Sequence, residues 1–255
     1  MNRRSAQPVT AVLAASHLAK SFGGVEAVRA VSFSVAAGEI VAMIGPNGAG
    51  KTTCFNLLNG QLVPDAGSVT LLGRRIDGLP SRAIARAGVG RTFQVAATFP
   101  SMTVRENVQL GLIANAGRQN SLAERATDLF TAEADAILDR VGMLPLAEQA
   151  CATLAYGDAK RMELALAVAG APKLLLMDEP TAGMPAADRK RVMHLVTELA
   201  RRDRIAVLFT EHDMDVVFDH ADRVIVLAHG RIIAQGSPAA VRADAQVQAV
   251  YLGRD

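Results

Sequence analysis

Residues 45–52 read GPNGAGKT, and no other stretch limits so strongly what this chain can fold into. The pattern is G-x-x-x-x-G-K-[ST]. An apolar run, EIVAMI, precedes it, and the helix-like stretch from Lys51 to Leu58 follows. Strand, tight loop and helix in that order are the setting in which this pattern grips phosphate. Glycine lets the backbone wrap closely enough to aim several N–H groups at one anion. The N-terminus of the following helix adds a partial positive charge. Lys51 has the reach for β- and γ-phosphates, and the Thr52 hydroxyl suits Mg²⁺. The expected phosphate-binding residues are therefore Gly45, Pro46, Asn47, Gly48, Ala49, Gly50, Lys51, Thr52 and Thr53.

Gripping phosphate does not name a reaction. A second element points to hydrolysis. LLLMDEP (174–180) reads as a buried strand that ends in two adjacent carboxylates, Asp178 and Glu179. An acid at the end of a parallel strand lies beside the phosphate loop in such an architecture. Asp178 suits Mg²⁺, through water, and Glu179 suits orienting and deprotonating an attacking water.

The rest of the chain fits one α/β unit. VSFSV (31–35) and 39–45 read as strands joined by AAG. SVTLLG (68–73) is another strand, with Pro64 and Gly67 marking the turn before it. Helix-forming sequence fills much of 103–141, where Leu129, Ala132, Ala136 and Val141 are roughly helix-spaced. Residues 186–202 read as a helix with Val192, Leu195, Val196 and Leu199 on one face, and 205–212 as a buried strand. RVIVLAHGRIIAQG reads as a hairpin turning at His229-Gly230, before a final helix capped at Ser237-Pro238. Strands alternate with helices at both ends around a helix-rich insert, which predicts a parallel, helix-covered sheet with a helical subdomain. Half of the 255 residues are hydrophobic, enough for a sizeable core. A formal charge of only +2 argues against a polybasic nucleic-acid binder. Two cysteines without CxxC spacing indicate a reduced setting. The start, MNRRSAQPVTAVLAAS, faintly resembles a secretion signal, but Gln7, Pro8, Thr10, Ser16 and His17 interrupt it, and a first β-strand is the expectation.

With both elements in view, nearly the whole chain resembles the ATP-binding cassette family. Phe22 in KSFGG matches the aromatic that stacks on adenine. Gln94 in RTFQ matches the glutamine that senses Mg²⁺ and the attacking water. LAYG (Leu154, Ala155, Tyr156, Gly157) holds the signature position, and His212 in FTEH matches the switch histidine at the γ-phosphate. LAYG, DEPTAGM, LFTEHDMDVVF and the terminal YLG are similar to the ATP-binding subunits of branched-chain amino acid importers. The chain departs from the family pattern at three places. Ala155 stands for the usual signature serine, leaving backbone N–H groups there to bind phosphate. Asp158 stands for the usual glutamine, and Pro185 for a common aspartate.

The resemblance implies a P-loop NTPase core with a mainly parallel sheet, an N-terminal antiparallel β subdomain and a helical subdomain inserted at about residues 95–165, all within one domain. It implies an ATPase using ATP and Mg²⁺, with Glu179, Gln94 and His212 at the reaction and Thr52, Gln94 and Asp178 at the metal. It implies a second ATPase subunit, the same chain or a related one, and two transmembrane permease subunits. A periplasmic solute-binding protein would act indirectly, and this chain itself would lie at the cytoplasmic face of an inner membrane, peripheral through the permease subunits. The apolar stretch VAATFPSMTV (95–104) is read as part of the permease docking surface, packing within the helical subdomain being the alternative. Two other functions fit parts of the pattern. One is a soluble cassette ATPase acting on nucleic acid or ribosomes, against which stand a single phosphate loop and no sustained heptads. The other is an ATP-gated scaffold with little turnover, against which stand Glu179 and His212.

Overall fold

The computed structural model describes residues 11–92, 98–117 and 129–252. Two long strands open it, β1 (Ala11–Phe22) and β2 (Val25–Ala36), an antiparallel hairpin turning at Gly23-Gly24. The expected first strand is β1, and VSFSV is the second half of β2. There Val31, Phe33 and Val35 are buried while Ser32 and Ser34 are exposed, the period of two of a half-covered strand. β3 (Ile40–Ile44) is buried at every position, as a parallel strand covered on both faces must be.

After β3 come α1 (Lys51–Leu58), β4 (Ala66–Leu71), β5 (Arg74–Arg75), α2 (Ser81–Arg86) and β6 (Val89–Thr92). Then follow α3 (Val104–Asn115), α4 (Thr131–Arg140) and α5 (Tyr156–Ala169), which pack on one another between β6 and β7 (Leu174–Asp178). The chain continues through α6 (Ala186–Asp203), β8 (Ala206–Thr210), α7 (Met214–His220), β9 (Arg223–Ala228), β10 (Arg231–Gly236), α8 (Pro238–Ala243) and α9 (Ala245–Leu252).

The described strands form two sheets. One is antiparallel, in the order β2-β1-β4-β5. The other runs β10-β9-β3-β8-β7-β6 and is parallel from β9 to β6, with β10 antiparallel at its edge. Alternation along β3 divides the core. Ile40, Ala42 and Ile44 face the cluster built with α3 to α6, while Val41 and Met43 face the cluster built with α1 and the antiparallel sheet. α1 puts Phe55, Leu57 and Leu58 into that second cluster. Full burial of each such side chain is worth about 1.5–3 kcal/mol, so the helix that follows the phosphate loop is firmly seated.

Two local expectations need correcting. Gly67 does not mark a turn before the strand but lies inside β4, where a Cβ would come within 2.4 Å of the His17 carbonyl oxygen of β1. In α4 the buried positions are Ala134, Ile137 and Leu138, with Val141 just beyond, whereas Ala132 and Ala136 are exposed. Alanine buries little area, so the larger side chains decide which face turns inward. Part of the 103–141 stretch, residues 118–128, lies outside the described residues.

Candidate nucleotide site

Strand register builds the site. Thr210 of β8 pairs with Met43 of β3 on one side and with Asp178 of β7 on the other. The C-terminal ends of three parallel strands therefore come level. The 45–50 loop, the Asp178-Glu179 pair and the Thr210-Glu211-His212 triplet all leave the sheet at one edge, where ligands of open parallel sheets bind.

The loop is held from outside. The Ala49 carbonyl accepts from Gly230 N at 3.0 Å, and Arg29 N donates to the Gly230 carbonyl at 2.7 Å. Gly50, at φ +105°, is the N-cap of α1, and a Cβ there would meet the Ala27 carbonyl oxygen of β2 at 2.4 Å. Only glycine lets strand, loop and hairpin approach so closely. α1 has no side-chain cap and no acid in its first turn. Its N-terminal N–H groups thus face outward with a positive partial charge and no competing carboxylate. Lys51 is only 8% exposed, and its Nζ donates to the carbonyls of Gly45 (2.7 Å) and Pro46 (3.2 Å). Burial pushes the Lys51 pKa below its ordinary value, and the charges of Glu179 and Asp178 oppose that shift. This is a cradle for a polyanion. The adjacent donor set is one exposed hydroxyl, Thr52, and one carboxyl, Asp178. Among the described residues no group of three or more His, Cys, Asp or Glu could hold a metal by itself. That set fits Mg²⁺, which keeps waters and shares its coordination between a carboxylate and substrate phosphates.

At the strand ends, Thr210 Oγ1 donates to Asp178 Oδ1 at 2.7 Å, and Arg91 at the end of β6 lies 3.8 Å from Asp178 Oδ2. Burial lowers the Arg91 pKa, opposed by the Asp178 charge. Glu179 N donates to both the backbone oxygen and the Oγ1 of Thr210, each at 3.1 Å. Its φ is +49°, a left-handed conformation that a residue with a side chain rarely adopts. Strain of that kind persists only where surrounding contacts over-determine it. His212 Nε2 lies 2.9 Å from Glu179 Oε1. Phe22 ends β1 at the tip of the hairpin that reaches the loop through Ala27; its ring is 46% exposed and Lys20 Nζ sits 5.8 Å from its centroid.

The family model described as "ABC transporter" matches residues 28–182, and a second, "Branched-chain amino acid ATP-binding cassette transporter", matches residues 231–255. The chain belongs to the ABC transporter family. It is 39% identical over 250 residues to the high-affinity branched-chain amino acid transport ATP-binding protein LivG of Salmonella typhimurium, covering 95% of this chain and 98% of that one. Similarity to BraF of Pseudomonas aeruginosa, a protein of the same description, is 38% over 249 residues, again 95% and 98%. The crystal structure of the ADP conformation of an ABC transporter's ATP-binding cassette superposes with a TM-score of 0.85 at 29% identity, covering 96% of this chain and 99% of that one. The chain is thus a nucleotide-binding transport ATPase, with the antiparallel, parallel and helical parts expected of a cassette.

The cassette does not bring all its expected site residues together. Leu154, Ala155, Tyr156 and Gly157 sit at the start of α5. Tyr156 Oη donates to the Ala182 carbonyl at 2.8 Å, and a Cβ on Gly157 would lie 3.6 Å from the Asp188 carboxyl. Ala155 is the N-cap of α5 and makes no side-chain cap bond. Asp158, beside the signature, pairs with Arg161 one turn along, and Pro185 is the N-cap of α6. Gln94 lies outside the described residues. Sequence reasoning passed over Arg91, Thr210, Thr181 and Glu211. Its available signal was FTEH itself, where an apolar run gives way at once to three polar residues.

Proposed function

We propose that the cassette powers an importer of branched-chain amino acids or closely related small polar solutes by hydrolysing Mg-ATP. The hydrogen-bonded Glu179–His212 pair, set beside buried Lys51 at the common edge of three strands, carries this reading of the chemistry. Lys51 and the N–H groups of residues 45–53 hold the phosphates, and Phe22 stacks on the base. Thr52 and Asp178 would hold Mg²⁺, which when bound would neutralise charge on the phosphate oxygens. Glu179 takes a proton from the attacking water, His212 fixes the carboxylate and meets the γ-phosphate, and Gln94 completes the geometry. The likeness to LivG and BraF and the match over residues 231–255 support the solute class.

We take the whole chain as one cassette, with residues 95–165 as its helical subdomain. A second ATPase subunit lends its signature residues to this site, as this chain lends Leu154–Gly157 in return. Two permease subunits dock near Phe99, which is 58% exposed at the mouth of a cleft of about 760 Å³ between α2, β6 and α3. Among the described residues no helix is long and apolar enough to cross a membrane. In this reading the cassette is held at the cytoplasmic face of the inner membrane by those permeases, and a periplasmic solute-binding protein feeds them.

The test is reconstitution of the chain with the two permease subunits that this reading requires. Wild type should hydrolyse Mg-ATP and drive uptake of labelled leucine, isoleucine or valine. Glu179→Gln should keep nucleotide binding but lose about 10²–10⁴-fold in turnover. Near-normal hydrolysis by that variant would mean the base is another residue, and ATP-driven uptake that ignores all three amino acids would remove the solute assignment.

A further inference from the structure

We propose that Glu211 is a positioning residue for the hydrolytic pair, locking the 179–181 turn onto the switch histidine through Thr181. The proposal rests on Glu179 being the base. Glu211 is 4% exposed and Thr181 is 2% exposed. Glu211 Oε1 accepts twice from Thr181, from its backbone N at 2.9 Å and from its Oγ1 at 2.5 Å. Glu211 Oε2 accepts from His212 N at 3.1 Å. One buried carboxyl group therefore joins the two segments that carry Glu179 and His212. The residues on either side of it do the same work. Thr210 holds Asp178 and Glu179 N, and His212 meets the Glu179 side chain. Three consecutive residues, 210, 211 and 212, thus grip three of the four residues 178–181.

The geometry explains why such a grip is needed. Glu179 sits at φ +49°, where its backbone does not rest unaided. Parallel pairing ends at Asp178↔Thr210, with one last backbone bond from Glu179 N to the Thr210 carbonyl. Side-chain bonds from Thr210 and Glu211 take over from that point. The hydrogen bonds of Glu211 run to Thr181 and His212, so it acts through them.

The experiment measures ATP turnover, KM and thermal midpoint on the full-length chain. Glu211→Ala should lower kcat about 10²-fold, the scale of a misplaced reacting group, with KM for ATP within about twofold because the phosphate loop is untouched. Thr181→Val should cost about tenfold, having lost one of three hydrogen bonds, and Thr181→Ser should stay near wild type because it keeps the hydroxyl. In the Glu179→Gln background, single-turnover hydrolysis should fall no more than about twofold further when Glu211→Ala is added, since both changes act on one base. A merely structural role would instead multiply the two losses. Slow Glu179→Gln with wild-type kcat in Glu211→Ala overturns the positioning role alone, as does full multiplication in the double variant. Normal turnover in Glu179→Gln overturns the base assignment and this proposal with it. If Glu211→Ala does not fold, equal rates for Thr181→Val and Thr181→Ser overturn the proposal.

Discussion

Lys51 shows how one residue's environment defines its work. Its ammonium has carbonyl acceptors on one side, burial lowers its pKa, and the charges of Glu179 and Asp178 oppose that shift. A phosphate group arriving at the α1 N-terminus adds an opposite charge at close range, which favours the charged ammonium. Lys51→Ala should therefore weaken ATP binding and remove hydrolysis, which a fluorescent-nucleotide titration and a phosphate-release assay would report together. Unchanged affinity and turnover would sink the phosphate-loop assignment. Cys54, three residues along, is the opposite case: burial alone pushes its thiol up to about 12, which makes it an inert core residue rather than a reactive one.

At the scale of elements, α6 and α7 carry a pH-sensitive contact behind the site. Asp213 caps α7 by accepting from Asp215 N and Val216 N, and it also pairs with Arg189 of α6. At the other end of α7, His220 Nδ1 lies 3.4 Å from Thr197 Oγ1 of α6. Burial lowers the His220 pKa below its ordinary 6.5; Asp219 opposes the shift, while His194 and Lys190 of α6 reinforce it. The sign follows from linkage. Between the folded value and 6.5 the unfolded chain binds more protons, so stability rises with pH through that window and levels off above it. Urea midpoints measured across this range should climb with pH in wild type, and His220→Gln should lose that part of the climb. A parallel slope in both proteins would assign the effect elsewhere.

Across the whole molecule, the proposed chemistry draws on two groups of residues with different neighbours. The phosphate loop, Glu179 and His212 share one edge, while the signature residues rest on residues 182–188 of their own chain. In the proposed reading, a signature so placed serves phosphate on a second subunit. Gly157→Asp tests this well, because its Cβ is accommodated 3.6 Å from the Asp188 carboxyl, within ordinary contact. The added carboxylate should leave ATP affinity of the isolated chain almost intact yet abolish turnover in the assembled transporter. Glu179→Gln should accumulate as an ATP-bound pair on a sizing column with Mg-ATP, with itself or with a related subunit. A monomer in every mixture, together with normal turnover by Gly157→Asp in the assembly, would end the paired reading.

Local patterns made much of this legible in advance. The proposed phosphate loop is a contiguous run whose pattern can be read from its spacing. Asp178 and Glu179 close an apolar strand, the 223–236 hairpin turns at His229-Gly230, and β3, β7 and β8 stand out as buried runs. Each depends on neighbours along the chain, where period and turn chemistry act. Other features depend on partners distant in sequence. Thr210 meets Asp178 because two parallel strands align in register, and Glu211 meets Thr181 one step beyond that alignment. Ala27 closes on Gly50 only when the antiparallel sheet folds over the parallel one. The inward face of α4 does not follow from the spacing of its alanines, because packing against α3 and α5 selects it. Register and layer packing are set by burial across the whole core, so the contacts that hold Glu179 in its left-handed turn exist only once three strand ends have come level.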